Sequence, residues 1–131
     1  MLVADFLMLN RDRHGANIEV LRNAKEKTLR LAPLFDHGIS LMYNGRTDQD
    51  FLAFDGMADM PVQCYVGSHS ATENLRLIPK GEYPRLIPLD ESSWAYMFAD
   101  LDTVLSPVHR EKIWEMIRRR WMYYEDFCHQ R

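Results

Sequence analysis

The chain has 131 residues, 47% apolar and 27% charged, a globular mix with room for one domain and its core. A formal net charge of -3 gives no global pull toward nucleic acid or an anionic membrane, so direct nucleic-acid binding is not expected. Cys64 and Cys128 lack metal-type spacing and read as free thiols, no apolar run reaches membrane-spanning length, and no signal-peptide pattern is visible; the expectation is a cytoplasmic protein with no membrane partner.

Apolar residues at Val3, Phe6, Leu7 and Leu9 predict a helix over 2–9. A polar knot follows, LNRDRHGAN at 9–17, placing Asp12, Arg13, His14 and Asn17 between two apolar runs. The alternation of IEVLR (18–22) and TLRLAPLF (28–35) around the polar NAKEK (23–27) predicts a β-hairpin over 18–34. Residues 36–69 carry Gly, Asp and Pro too often for long elements and read as mostly loop with short strands. Ser70 and Glu73 have capping-box spacing ahead of NLRLI, and Pro79 and Gly81 end that helix.

Trp94, Met97, Phe98 and Leu101 mark the buried face of a helix near 91–101. Ser106 and Pro107 form an N-cap and first-turn proline, opening a long helix toward 128. Its stripe of Trp114, Ile117, Trp121, Tyr124 and Cys128 is expected to be core rather than an aromatic ligand box, with Arg118, Arg119 and Arg120 on a solvated flank. The expected fold class is α+β, mainly helical: one domain over 1–131 with a small hairpin bearing the catalytic and metal loops.

Phosphoryl transfer needs a carboxylate to orient the attacking hydroxyl and accept its proton. It also needs a carboxamide and a second carboxylate to hold a metal against the nucleotide phosphates. Protein kinases place the first two as Asp-x-x-x-x-Asn and the third in an Asp-x-Gly after a short hairpin. Asp12 and Asn17 have that spacing, the predicted hairpin follows, and Asp36-His37-Gly38 supplies the Asp-x-Gly. Each piece alone is common, since Asp and Asn also brace turns through Asx hydrogen bonds. Their order around a hairpin is what makes the set specific.

These stretches, DFLMLNRDRHGANIEVL and LAPLFDHGISL, resemble the C-terminal lobe of HipA-type serine/threonine kinases over residues 5–41. Asp5, Phe6, Leu7, Asn10, Asp12, His14 and Asn17 match that family's catalytic-loop pattern, and Ala32, Pro33, Leu34 and Asp36 its metal-loop pattern. The Asp-Arg-His-x-x-Asn core is also similar to the catalytic loop of phosphatidylinositol kinases. The resemblance implies a kinase-like C-lobe that transfers a phosphoryl group from Mg-ATP to a protein Ser/Thr hydroxyl, in a bacterial toxin–antitoxin context. It makes Asp12 the catalytic base and Asn17 and Asp36 the metal and nucleotide-binding ligands. His14 is expected to brace the loop, the alternative being that it assists the transfer.

The sequence departs from the family upstream. Eleven residues precede Asp12, too few for an N-lobe with its glycine-rich loop, lysine and glutamate. No G-x-G-x-x-G follows, and Lys25, Lys27, Lys80 and Lys112 fall in predicted turns or helices. The expectation is therefore a C-lobe without an N-lobe, inactive alone. Its partners would be a separate N-lobe or kinase, a helix-turn-helix antitoxin, and a protein substrate. Val3, Leu7, Ile39, Leu41 and Met42 are expected to form an uncovered apolar face that favours a two-fold homodimer. The alternatives are a non-catalytic binding or regulatory module, or remnant, of a toxin–antitoxin kinase. A binuclear metallophosphatase using Asp12, His14, His37 and His69 is a further one.

Overall fold

The computed structural model describes residues 1–130. The fold is α+β and mainly helical, with two small two-stranded sheets. Five helices, α1 (Leu2–Leu7), α2 (Asp48–Ala53), α3 (Ala71–Asn74), α4 (Glu91–Met97) and α5 (Pro107–His129), accompany four strands, β1 (Asp12–Arg13), β2 (Val20–Asn23), β3 (Thr28–Leu31) and β4 (Gln63–Cys64). The chain divides into two compact units, one of Met1–Ser40 with Asp59–Leu77, the other of Leu41–Ala58 with the chain from Ile78 onward.

In the first unit, α1 buries Val3 and Phe6, one turn apart on the same face, together with Asp5. The helix stops where Leu9 takes a left-handed conformation with φ 50° and the Asn10 amide turns back to the Asp5 carbonyl at 2.8 Å. The chain then runs into β1, which pairs in parallel with β4, Asp12 opposite Gln63 and Arg13 opposite Cys64. Leu9, Val62, Ala71 and Leu75 complete the buried apolar set, and α1 packs on α3.

The hairpin forms as the alternation predicts, with Val20 opposite Leu31 and Asn23 opposite Thr28. Its turn is built by Asn23, whose Oδ1 accepts from the amides of Lys25 (3.1 Å) and Glu26 (3.2 Å), and by Lys27 at φ 52°. All eight of its strand residues are exposed.

The second unit corrects several expectations. The segment read as loop contains α2, opened by a reciprocal capping box in which Thr47 Oγ1 accepts from the Asp50 amide and Asp50 Oδ2 accepts from the Thr47 amide. Aspartate stands where the usual pattern has Glu or Gln, so the signal was a variant one. Arg120 is not on a solvated flank. It is 2% exposed, and its Nε and Nη2 donate to the carbonyls of Gly56 (2.6 Å) and Ala58 (3.2 Å).

The buried face of α5 is Ile113, Met116, Ile117, Arg120 and Tyr124, so Trp114, Trp121 and Cys128 lie at its margin, half-exposed. Ser106 caps α5 by accepting from the His109 amide at 3.1 Å, ahead of Pro107, as the sequence predicts. Ser70 caps α3 but Glu73 turns to the Ser68 hydroxyl, so only half of that capping box exists. The helix near 91–101 stops at Met97, with Phe98 buried and Leu101 beyond it. The expected apolar face is also revised: Val3 and Met42 are buried, Leu7 and Leu41 half-buried, and only Ile39 is exposed.

Candidate functional site

The polar knot is organised by a buried cation. Arg13 is fully buried, and every nitrogen of its guanidinium is used. Nε and Nη2 grip Asp5, the closest contact being 2.9 Å from Nη2 to Oδ1. Nη1 donates to the carbonyls of Asn17 (3.0 Å) and Phe35 (2.7 Å), and Nη2 donates to Nδ1 of His37 (3.0 Å). Arginine has no acceptor, so Nδ1 of His37 must be the bare nitrogen and Nε2 must carry the proton. One side chain thus ties helix α1, the Asp12–Asn17 loop and the Asp36-His37-Gly38 turn together. Asp5 and Arg13 received no role from sequence reasoning. The available signal was a carboxylate interrupting an apolar helix, which is tolerated inside a protein only with a paired cation.

Asp12 leads the loop. Its amide donates to Asn10 Oδ1 at 3.2 Å, and Asn10 in turn donates to Asp5 Oδ1 at 3.0 Å. The Asp12 side chain is 27% exposed, so its carboxylate meets solvent while its backbone is held. Asn17 is buried and closes the loop, its Nδ2 donating to the Asp12 carbonyl at 2.9 Å. That bond uses only the amino side of the carboxamide, and among the described residues Asn17 Oδ1 accepts no hydrogen bond. His14 caps the short 3-10 turn Gly15–Asn17 through Nδ1, which accepts from the Ala16 amide at 3.2 Å. Its Nε2 stands 3.7 Å from Asp12 Oδ2, beyond hydrogen-bond reach, so its contact with the loop is the backbone brace.

Asp36 is exposed and adopts a left-handed backbone with φ 54°, a conformation that aspartate visits more readily than most non-glycine residues because its short polar side chain bonds locally. The Arg13 bonds to Phe35 and His37 on either side of it hold that conformation.

The β1–β4 pairing adds a feature the sequence did not reveal. It lays the exposed Tyr65 ring over Gly15, where a Cβ would sit 3.0 Å from the ring edge, so a side chain at this position would press on the Tyr65 ring. Next to it, Cys64 is half-buried, and burial, with the Asp5 carboxylate adding to it, pushes its thiol up from the usual range. It is therefore a thiol and not a nucleophilic thiolate.

One carboxamide oxygen and one carboxylate are too few to cage a metal alone, but magnesium is commonly held by one or two protein oxygens together with nucleotide phosphates. Among the described residues no group of three or more His, Cys, Asp or Glu side chains is placed to hold a metal ion. His69 is engaged elsewhere, its Nδ1 bonded to the Val62 carbonyl at 2.9 Å. No helix of the described residues is long and apolar enough to cross a membrane. No family model matches the chain, and neither a curated protein nor a solved structure does.

Proposed function

We propose that this chain carries the catalytic and metal loops of a HipA-like protein kinase, acting in phosphoryl transfer from Mg-ATP to a protein Ser/Thr hydroxyl. The observation that carries the reading is the Arg13 clamp, which holds the Asp-x-x-x-x-Asn loop and the Asp-x-Gly turn on one guanidinium. An Asx-braced surface turn has no need of a buried charge bridging it to a second loop.

In this reading Asp12 orients the acceptor hydroxyl and takes its proton. Asn17 Oδ1 and the Asp36 carboxylate hold the metal, and Mg-ATP supplies the phosphoryl group and the charge neutralisation that its transfer needs. His14 positions the loop through the Ala16 amide. The 131 residues contain no glycine-rich phosphate loop, so the nucleotide roof comes from an N-lobe outside this sequence, in the same polypeptide or another. A surface that fits such a partner is the hairpin face of Val20, Leu29 and Leu31, which are 58%, 70% and 53% exposed. Their register, Val20 opposite Leu31 and Arg22 opposite Leu29, puts them on one side of the ribbon.

The test is paramagnetic broadening by Mn-ATP in two-dimensional NMR. Resonances of the Asn17 carboxamide and of the Asp36 amide should broaden first, and Asp36→Asn should remove the effect while leaving the rest of the spectrum in place. Broadening centred on other residues, or broadening that persists in Asp36→Asn, would remove the metal assignment and the kinase reading with it.

A further inference from the structure

The second unit holds a groove of about 570 Å3 between α4 and α5. Two indoles line it. Trp94 and Trp114 lie 5.6 Å apart at 82°, edge to face, and Trp94 also rests on Phe98 at 4.4 Å. Both are half-exposed, so this part of the helical stripe is not closed core. Three carboxylates, Asp90, Glu91 and Glu111, share the lining with one guanidinium, Arg118.

Asp90 caps α4, accepting from Ser92 Oγ (2.7 Å), the Ser93 amide (2.9 Å) and Ser93 Oγ (3.0 Å). Glu91 and Glu111 are exposed, and among the described residues neither makes an ion pair; nor does Arg118. An indole face attracts cations through its quadrupole, and uncompensated carboxylates beside it reinforce the attraction. Glu91 stands in the first turn of α4, where a carboxylate suits the helix N-terminus, whereas Glu111 lies beyond the first turn of α5 and has no such role; both helices already have side-chain caps.

We propose that this groove docks an arginine-bearing basic segment of a partner protein, its guanidinium stacked in the Trp94–Trp114 corner and paired with Glu91 and Glu111. Arginine fits better than lysine because a planar guanidinium stacks on an indole and presents a fork to carboxylates, while an ammonium remains strongly hydrated. The site uses no residue of the Asp12–Asn17–Asp36 set, so it stands or falls independently of the phosphotransfer reading.

The experiment is a titration of the full chain with the peptide acetyl-Gly-Arg-Gly-Arg-Gly-amide, followed by the indole N–H resonances. Trp94 and Trp114 should shift saturably while Trp121, which lies outside the groove, stays in place. The same peptide with citrulline for arginine, isosteric and uncharged, should shift neither. Glu91→Gln and Glu111→Gln, both at exposed positions, should each weaken binding roughly two- to fivefold, as removal of an exposed ion pair does. Added salt should weaken binding to the unsubstituted chain as well. Equal shifts with the citrulline peptide, no saturable shift at millimolar peptide, or affinity indifferent to both salt and the two substitutions would overturn the proposal. Tighter binding of tetramethylammonium than of the peptide would overturn the peptide assignment and leave a small-cation site.

Discussion

Removing either end of the Asp5–Arg13 pair should unravel the candidate site, and the size of the effect follows from the contacts. Asp5→Asn keeps the shape of the side chain but leaves a fully buried guanidinium without its counter-charge. Breaking one partner out of a buried pair costs about 3–5 kcal/mol, a large share of the roughly 5–15 kcal/mol that holds a domain together. Arg13→Met leaves the Asp5 carboxylate buried with Asn10 as its remaining side-chain donor and strips the Asn17 and Phe35 carbonyls of their partner, a loss of about the same size. With both substitutions no buried charge remains, and only the orphaned carbonyls and lost packing count. The double variant should therefore cost less than the sum of the singles by roughly 2–3 kcal/mol. Urea unfolding followed by amide resonances of the first unit, such as Ala16 and Leu75, measures this. Indole fluorescence does not, because Trp94, Trp114 and Trp121 all belong to the other unit. Single variants that each cost under about 1 kcal/mol, or a double variant whose cost is additive, would refute the clamp as the organiser of the site.

Ser106→Ala should lose about 1 kcal/mol in the second unit by uncapping α5 at the His109 amide, read as a lower urea midpoint by indole fluorescence. His109 stacks on Phe51 at 3.6 Å and 10°, and burial pushes its imidazole below the usual range, with the Asp48 carboxylate opposing. The unfolded chain therefore takes up that proton first as pH falls, and stability drops below about pH 6.5 until the folded ring also titrates. His109→Phe keeps a ring on Phe51 and removes the titration, so between about pH 7.5 and 5.5 its melting temperature should fall less than that of the unsubstituted chain. An equal fall in both would show that His109 does not titrate differently in the two states.

Local chemistry made much of the fold legible. The hairpin over 18–34 was readable because two alternating runs flank a polar turn, and Asn23 then makes the turn bonds that asparagine favours there. The start of α5 was readable because Ser106 and Pro107 act within one turn of themselves. The short α2 was missed because its cap uses Asp50 at the position where Glu or Gln is the usual sign. Among the candidate site residues, Asp12, Asn17 and Asp36 were legible as a spacing. The bond from Asn17 to the Asp12 carbonyl is local in the same sense.

What the sequence by itself determined is the content of short windows: apolar period, caps, turn residues, and the order of loop, hairpin and Asp-x-Gly. Tertiary structure alone decided which charges are buried. Arg13 and Arg120 look from their neighbours like any surface arginine. One is enclosed because Asp5, Asn17, Phe35 and His37 converge on it, the other because the Gly56 and Ala58 carbonyls lie more than sixty residues earlier in the chain but within bonding distance. Conversely, Trp94 and Trp114 have the spacing of core residues, yet they border an open groove because the buried face of α5 is turned toward Ile113, Met116, Ile117 and Tyr124. The Arg13 guanidinium is held in the interior by acceptors on every nitrogen, and those acceptors are supplied mostly by segments outside its own short window, which no local pattern encodes.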